Sequence, residues 1–172
     1  MGCKINVIRA LTLSLLFLWI SSASAQNCSI ENGLPDSACT TGAVAPDVPL
    51  EELCEKGYTL KTRNVSQALK NKVYLLYGIE HRKPREYEID HCINLGINGS
   101  NEIENLWPQK YGGPLGAEKK DKLENFLRRK VCAGEITLEQ AQAEICHNWI
   151  RSYKKYGLDK VKNRGLIVEN VE

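Results

Sequence analysis

The sequence predicts an α+β protein, and three patterns support that prediction. Apolar and polar residues alternate over residues 86–95, as in a β-strand with one buried face, and residues 105–107 form a short return strand after a turn. Apolar residues then recur at helical spacing over residues 117–131 and 137–149. Cysteines along the chain indicate that disulfides hold these elements together.

The composition fits one globular domain. The chain has 172 residues, of which 42% are hydrophobic and 26% are charged, and this apolar content is too high for a disordered chain. No apolar run reaches the roughly 18 residues of a membrane-spanning helix. Without Lys4 and Arg9 near its start, 21 of the 23 basic residues remain and equal the 21 acidic ones. This balance excludes a polycation that binds nucleic acid through bulk charge.

The first 25 residues have the pattern of a secretory signal peptide. Lys4 and Arg9 form a basic start, residues 10–20 are apolar, and residues 23–25 read Ala-Ser-Ala, a small-residue cleavage site. The alternative is a buried first helix. We predict export to the periplasm or beyond, with the mature chain beginning at Gln26.

The cysteines outside this segment predict disulfides. An even number of cysteines in an exported chain is typical of a disulfide framework, and the spacing of Cys and His residues does not match a zinc finger. The sequence leaves the pairing open. The six residues are Cys28, Cys39, Cys54, Cys92, Cys132 and Cys146.

Three regions are predicted after the signal peptide. Residues 26–60 are rich in Gly, Pro and acidic residues and are expected to form an irregular arm, which Cys39 and Cys54 tie to itself or to the core. The domain itself is predicted over residues 61–155. Residues 156–172 form a basic tail.

Within the domain, helical spacing of apolar residues predicts three helices. The first follows Ser66. The second covers residues 117–131. The third begins at Thr137, which forms a capping box with Gln140, and continues to Trp149. We expect Trp149 to lie in the core.

Four polar residues near the two strands are candidates for chemistry. Glu88, Asp90 and His91 lie at the end of the first strand, and Asn105 lies across the turn. An imidazole titrates near neutral pH and suits a general base, while carboxylates suit a divalent cation. Both groups serve phosphodiester hydrolysis, and we expect the imidazole to face carboxylates of the following helix.

At these residues the chain resembles the HNH nucleases, which have a ββα-metal core. Asp90-His91, the turn with Gly99, and Asn105-Leu106 resemble the first two signatures of that motif. More closely, the chain is similar to small exported bacterial proteins with a variant HNH motif. That similarity rests on residues 87–91, 105–108 and 116–124 and extends over about residues 39–149.

The resemblance implies a role for each matching residue. His91 matches the general base that activates water, and Asp90 matches a metal ligand. Asn105 matches the residue that ties the hairpin together and orients the base. The implied fold is an HNH-like core flanked by helices, with the N-terminal arm attached by disulfides.

The third position of the motif departs from the family pattern. HNH proteins place a His or Asn there as a second metal ligand, whereas this chain has Gly116. Glu118 and Asp121 are the candidate substitutes, and carboxylates favour Mg²⁺ or Mn²⁺. Lys119 and Lys120 on the same helix are the candidates for substrate binding.

The leading hypothesis is therefore an exported, metal-dependent endonuclease that acts on DNA or RNA. It would hold the phosphates through the basic residues of segments 61–85 and 151–164. A second hypothesis, motivated by Gly116, is a secreted or periplasmic binding protein with a degenerate site on the same fold. A third is a cell-wall hydrolase that uses the carboxyl pair Glu88 and Asp90, which share one strand face.

Overall fold

The structure, a computed structural model, describes residues 28–160, and within them it has an α+β architecture, as the sequence predicts. The elements in chain order are α1 (Leu50–Leu53), α2 (Tyr58–Thr62), α3 (Gln67–Leu76), β1 (Tyr87–His91), β2 (Leu106–Lys110), α4 (Ala117–Cys132), α5 (Leu138–Ile145) and α6 (Trp149–Lys155). Two short 3-10 helices, Leu95–Ile97 and Ile103–Asn105, lie between the strands. The predicted signal peptide and residues 161–172 of the basic tail lie outside the described residues.

Strands β1 and β2 form an antiparallel pair that continues through Pro108, although the sequence predicts that Pro108 ends the strand. Pro108 lies opposite Ile89. The N–H of Cys92 donates to the carbonyl of Asn105, and hydrogen-bonded pairs alternate along antiparallel strands. Ile89 and Pro108 are therefore a non-hydrogen-bonded pair, in which proline loses no ladder bond.

All six predicted cysteines form disulfides, which confirms that prediction. The pairs are Cys28–Cys39, Cys54–Cys132 and Cys92–Cys146. The first closes the N-terminal arm on itself, and the second ties the arm to the end of α4. The third joins the end of β1 to the end of α5. The arm is therefore attached both to itself and to the core.

The arm is more regular than its composition predicts. It contains α1 and the start of α2, and it buries Leu53 completely. Thr40 is also fully buried, and its hydroxyl donates to the carbonyl of Leu106 in β2. Helices of four and five residues are too short to show a periodic pattern, so the sequence indicated only a loop.

The predicted helices are present, with one correction. The side chain of Ser66 caps α3, and Thr137 with Gln140 forms the predicted capping box of α5. The predicted third helix is broken: α5 ends at Ile145, and Cys146, with ψ −89°, leaves the helical conformation. Trp149 begins α6 and is 1% exposed, as expected for the core. Within residues 28–160, none of the helices is both long and apolar enough to cross a bilayer.

Candidate functional site

A groove of about 590 Å³ runs beside β1, between residues of α3 and α4. Four carboxyl groups line it: Glu88 and Asp90 from β1, and Asp121 and Glu124 from α4. Glu88 and Asp90 lie two residues apart and share one face of the strand, as predicted. The groove is therefore the place where the acidic candidates of β1 and α4 meet.

Basic residues also line the groove, and we call them its basic rim. Arg63, Lys70 and Arg82 line it, and all three belong to the basic segment 61–85. The guanidinium carbon of Arg82 lies 3.7 Å from the ring centroid of Tyr74, which holds this cation against α3. Cations and carboxylates therefore line the same groove.

The carboxyl groups of the groove disfavour one another's ionised form. Burial, followed by the charges of Asp90 and Asp121, raises the pKa of Glu88 to about 7. Much of Asp121 is exposed, yet desolvation of its carboxyl and the charge of Asp90 raise its pKa as well. Lys120 and Arg63 oppose both shifts.

Lys120 lies in the interior and not at the surface where a substrate-binding lysine was expected. It has 0% exposure, and its ammonium donates to Oδ2 of Asp90 at 2.7 Å and to the carbonyl of His91 at 2.6 Å. Its third partner is the carboxylate of Glu124, one turn further along α4. An ammonium has three donors, so all of them are used and none remains for a phosphate.

Lys120 remains charged despite its burial. Desolvation alone would lower its pKa, but the carboxylates of Asp90 and Glu124 raise it above its ordinary value. Desolvation also raises the pKa of Glu124, and the Lys120 ammonium works against that increase. The interior of the fold therefore contains a lysine with two carboxylates around it.

The predicted metal ligands do not come together. One carboxylate oxygen of Asp90 is bound to Lys120, and Glu118 is exposed on the first turn of α4. Among residues 28–160, the one group of three His, Cys, Asp or Glu ligand atoms within 4.8 Å of each other is Cys92, Cys146 and His147. The donor set of Asp90, Glu118 and Asp121 therefore does not fit an Mg²⁺ or Mn²⁺ site in this structure.

The Cys92, Cys146 and His147 group does not supply a metal site either. Its two sulfurs form the Cys92–Cys146 disulfide, so no thiolate is available. Nε2 of His147 lies 2.9 Å from the carbonyl oxygen of Thr40 and donates a hydrogen bond to it, because a carbonyl oxygen only accepts. The disulfide and this hydrogen bond connect the arm, the end of β1 and the end of α5.

Gly116, the third motif position, has no room for a side chain. A Cβ at this residue would lie 2.7 Å from the carbonyl oxygen of Tyr111 and 2.7 Å from the carbonyl carbon of Gly112. These are backbone atoms, which cannot swing aside as a side chain does. The neighbouring Lys119 binds the carbonyl of Gly113, at 3.2 Å, and so folds onto the same loop.

The ring of His91 is held in one neutral tautomer. Its Nε2 lies 3.2 Å from Oδ1 of Asn101. The amide of Asn101 is oriented by two backbone groups, because its Nδ2 donates to Thr62 O and its Oδ1 accepts from Asn64 N. Oδ1 is thus an acceptor, so Nε2 carries the proton and Nδ1 carries the free lone pair.

His91 is neutral over the physiological range. Its residue exposure is 1%, and within residues 28–160 its Nδ1 has no hydrogen-bond partner. Burial lowers the pKa of His91 to about 4, against the opposing effect of the Asp90 carboxylate. The expected meeting of this imidazole with carboxylates of the helix does not occur. Successive strand residues point to opposite faces, so Asp90 reaches α4 while the His91 ring reaches Asn101.

Asn105 lies where a residue that braces the hairpin should lie. It is fully buried, and its side chain accepts from the N–H of Ile93 and donates to the carbonyls of Ile93 and Ser100, all at 2.8–2.9 Å. Gly99 completes this loop, because a Cβ there would lie 1.7 Å from the Ile93 carbonyl oxygen. These contacts fix the loop that follows His91.

The sequence analysis gave no site role to two residues that the structure places there. Asn101, which holds the imidazole, lies in a segment that reads only as a turn. Glu124 lies four residues after Lys120, and this spacing is the one signal that the sequence offered for their pair.

Comparisons of the chain with protein-family models, with curated proteins and with solved structures found no match.

Proposed function

We propose that this protein hydrolyses phosphodiester bonds of DNA or RNA, with His91 as the general base, on an HNH-like arrangement of β1, β2 and α4. The observation that carries the proposal is the state of His91. Its ring is neutral, Asn101 fixes one nitrogen, and the lone pair of the other has no hydrogen-bond partner within residues 28–160. A base needs such a nitrogen to take a proton from water.

Three residues have defined roles in the proposed hydrolysis. Nδ1 of His91 accepts the proton of the attacking water, while Asn101 keeps Nε2 protonated. Asn105 holds the loop after the strand, so the ring keeps its position. Nδ1 is buried in this conformation, and hydrolysis therefore requires an opening of the surrounding residues that admits water.

The basic rim gives the phosphate its place. Arg63, Lys70 and Arg82 line the groove. His91 does not line it, and of the three cations Arg63 is the one whose charge also acts on the pKa of His91, so we assign Arg63 the phosphate contact nearest the base. Guanidinium groups bind phosphate oxygens through paired N–H donors, and they also balance charge that develops on the phosphate during reaction. Such contacts read the backbone and not the bases, which suits either nucleic acid.

Dependence on Mg²⁺ or Mn²⁺ remains a prediction from the HNH resemblance. The expected ligands Asp90, Glu118 and Asp121 do not assemble, so none of the steps above passes through a metal ion. The assay therefore compares both metals with a chelator.

The test is cleavage of supercoiled plasmid DNA and of a structured RNA by the purified mature chain, with Mg²⁺, Mn²⁺ or a chelator. We expect cleavage of at least one substrate, reduced about 100-fold or more in His91→Ala. His81→Ala is the matched control, because His81 is exposed and lies outside the groove. Full activity of His91→Ala would contradict the role of His91.

A second candidate function is binding of nucleic acid without turnover. The packing around Gly116 and the internal pairing of Asp90 favour it, since Gly116 has no ligand atom and Lys120 occupies one carboxylate oxygen of Asp90. In that case a labelled oligonucleotide binds the wild type and His91→Ala equally, and none of the substrates is cut under any metal condition. Metal-dependent turnover would exclude this candidate.

Export to an oxidising compartment is proposed with either function. The three disulfides, which together tie the arm, β1, α4 and α5, are the support for it. Mass spectrometry of the product secreted by a suitable host tests the proposal. We expect an N-terminus at Gln26, and an intact Met1 on the secreted product would contradict it.

A further inference from the structure

A second opening, of about 410 Å³, adjoins the groove at the loop between α3 and β1. Its walls are residues 80–85 of that loop and Tyr87, the first residue of β1. Arg82 and Tyr87 line both this opening and the groove, so the two are neighbours along one surface. We call this opening the loop recess.

The loop recess carries more positive than negative charge. Arg82, Lys83 and Arg85 line it together with one carboxyl group, that of Glu80. The guanidinium carbon of Arg85 lies 5.0 Å from the ring centroid of Tyr111, and its Nη2 donates to the hydroxyl of that residue at 3.4 Å. A cation that is already held in place loses less conformational freedom when it binds an anion.

Arg85 occupies a backbone position that suits glycine. The N–H of Glu86 donates to the carbonyl of Lys83 at 3.1 Å, which closes a turn with Pro84 and Arg85 at its centre. Arg85 has a φ of 61°, as the third residue of a type II turn does, and that residue is usually Gly. An arginine there costs free energy, and such strain is concentrated at functional sites. The strained turn therefore indicates that the side chain of Arg85 has a role in this recess.

Tyr87 connects two sets of cations. It is partly buried against the core and lines both openings. Arg63 and Lys70 line only the groove, whereas Lys83 and Arg85 line only the loop recess. Proteins that bind single-stranded nucleic acid combine cations, which hold the phosphates, with aromatic side chains, on which the bases stack.

We propose that the groove and the loop recess together bind a single strand of nucleic acid, with one base stacked on Tyr87 and a neighbouring phosphate held by Lys83 and Arg85. The inference rests on the proposed function and names its substrate class. In a duplex each base is paired and stacked on its neighbours, so its face is not available to a tyrosine. Every base has a π-face, so we expect no sequence preference. Within the loop recess, contacts are assigned to Lys83, Arg85 and Tyr87 alone.

The test is fluorescence anisotropy with a labelled DNA strand of about 12 nucleotides, a length within the site sizes of single-strand binders, and with the duplex of the same sequence. Both probes are measured at one salt concentration, and gel electrophoresis verifies that they remain uncut. We expect the purified mature chain to bind the single strand at least about tenfold more tightly than the duplex.

Tyr87→Leu removes the stacking surface. We expect it to weaken binding of the single strand about tenfold, while Tyr87→Phe, which keeps the ring, retains the affinity. The matched control is Tyr156→Leu, because the Tyr156 ring packs against Phe126 and lines neither opening. It should bind the single strand as the wild type does.

Arg85→Gly separates binding from folding. Glycine adopts a φ of 61° without strain, so the variant should keep its thermal stability. Its affinity for the single strand should fall, and the slope of log affinity against log salt should shrink by about 0.7, the value for one lost phosphate contact. Arg129→Gln, which removes an exposed cation of α4 outside both openings, should change neither quantity. Arg85→Gly supplies the test if Tyr87→Leu does not fold.

Failure of this inference is distinguishable from failure of the proposed function, because binding is measured without cleavage. Equal or tighter binding of the duplex, or an unchanged single-strand affinity in folded Tyr87→Leu or in Arg85→Gly, would overturn the inference. Preferential binding of the single strand without cleavage of any substrate would support it and refute the hydrolase. Cleavage without a preference for the single strand would refute the inference and leave the hydrolase intact.

Discussion

The ammonium of Lys120 lies 2.7 Å from the carboxylate of Asp90 in the interior of the protein, and it also bonds the carbonyl of His91. This pair joins α4 to the last two residues of β1. It therefore holds the end of β1 against α4, next to the imidazole. The cation that balances Asp90 is supplied by the chain itself.

Replacement of Lys120 by Met is expected to destabilise the fold by about 3–5 kcal/mol, because removal of one partner leaves buried carboxylates without a cation. Chemical denaturation measures the free energy of unfolding. Lys119→Met is the control, since its ammonium contacts only an exposed loop carbonyl, and it should cost less than about 1 kcal/mol. Equal effects of the two substitutions would contradict the account.

A side chain at Gly116 is expected to be harmful. Gly116→Ala brings a Cβ to within 2.7 Å of backbone atoms, and overpacking of this kind costs about 1–3 kcal/mol. Gly112→Ala is the matched control, because nothing lies within 4 Å of the added atom. If thermal denaturation shows Gly116→Ala to be as stable as the wild type, the packing described here is wrong.

Asn105→Ala is expected to destabilise the protein by about 3 kcal/mol, because it leaves the backbone groups of Ile93 and Ser100 buried without partners. The same change loosens the loop after His91, so amide hydrogen exchange of residues 93–100 should become faster. Asn125→Ala, on the exposed side of α4, should change neither quantity. Unaltered exchange in Asn105→Ala would argue against a bracing role.

The stability contributed by His91 depends on pH in a defined direction. Its folded pKa of about 4 lies below the ordinary value of 6.5, so the unfolded chain binds more protons between these values. This contribution is present in full above about pH 6.5 and is lost as pH falls toward 4. It amounts to about 3 kcal/mol at most.

The measurement is the free energy of unfolding of the wild type and of His91→Gln from pH 7 to pH 4. The wild type should lose more stability than the variant over this interval. The comparison with the variant removes the effect of Glu88, whose raised pKa acts in the opposite direction. Parallel curves for the two proteins would show that His91 is not buried as a neutral ring.

Structural elements that depend on the local spacing of residues could be predicted from the sequence. The alternation before His91, the capping box of Thr137 and the apolar face of α4 each predict an element that the structure contains. His91 also ends β1, as the pattern predicts, whereas Asn105 ends a 3-10 helix and directly precedes β2. These features follow from rules that act over a few residues.

Features that depend on packing were not predictable in the same way. Helical spacing puts Lys120 and Asp121 side by side, but it does not say which charge turns inward. The structure buries the lysine and leaves much of Asp121 exposed. The tautomer of His91 depends on Asn101, Thr62 and Asn64, which only the tertiary fold brings together.

Chemical rescue tests the proposed role of His91 as the base of a phosphodiester hydrolase. The measurement is the single-turnover cleavage rate of His91→Gly, with its fold verified by circular dichroism, with and without added imidazole. We expect a loss of about 100-fold or more that imidazole partly restores. Undiminished cleavage by His91→Gly, or no cleavage by the wild type under any metal condition, would contradict the claim.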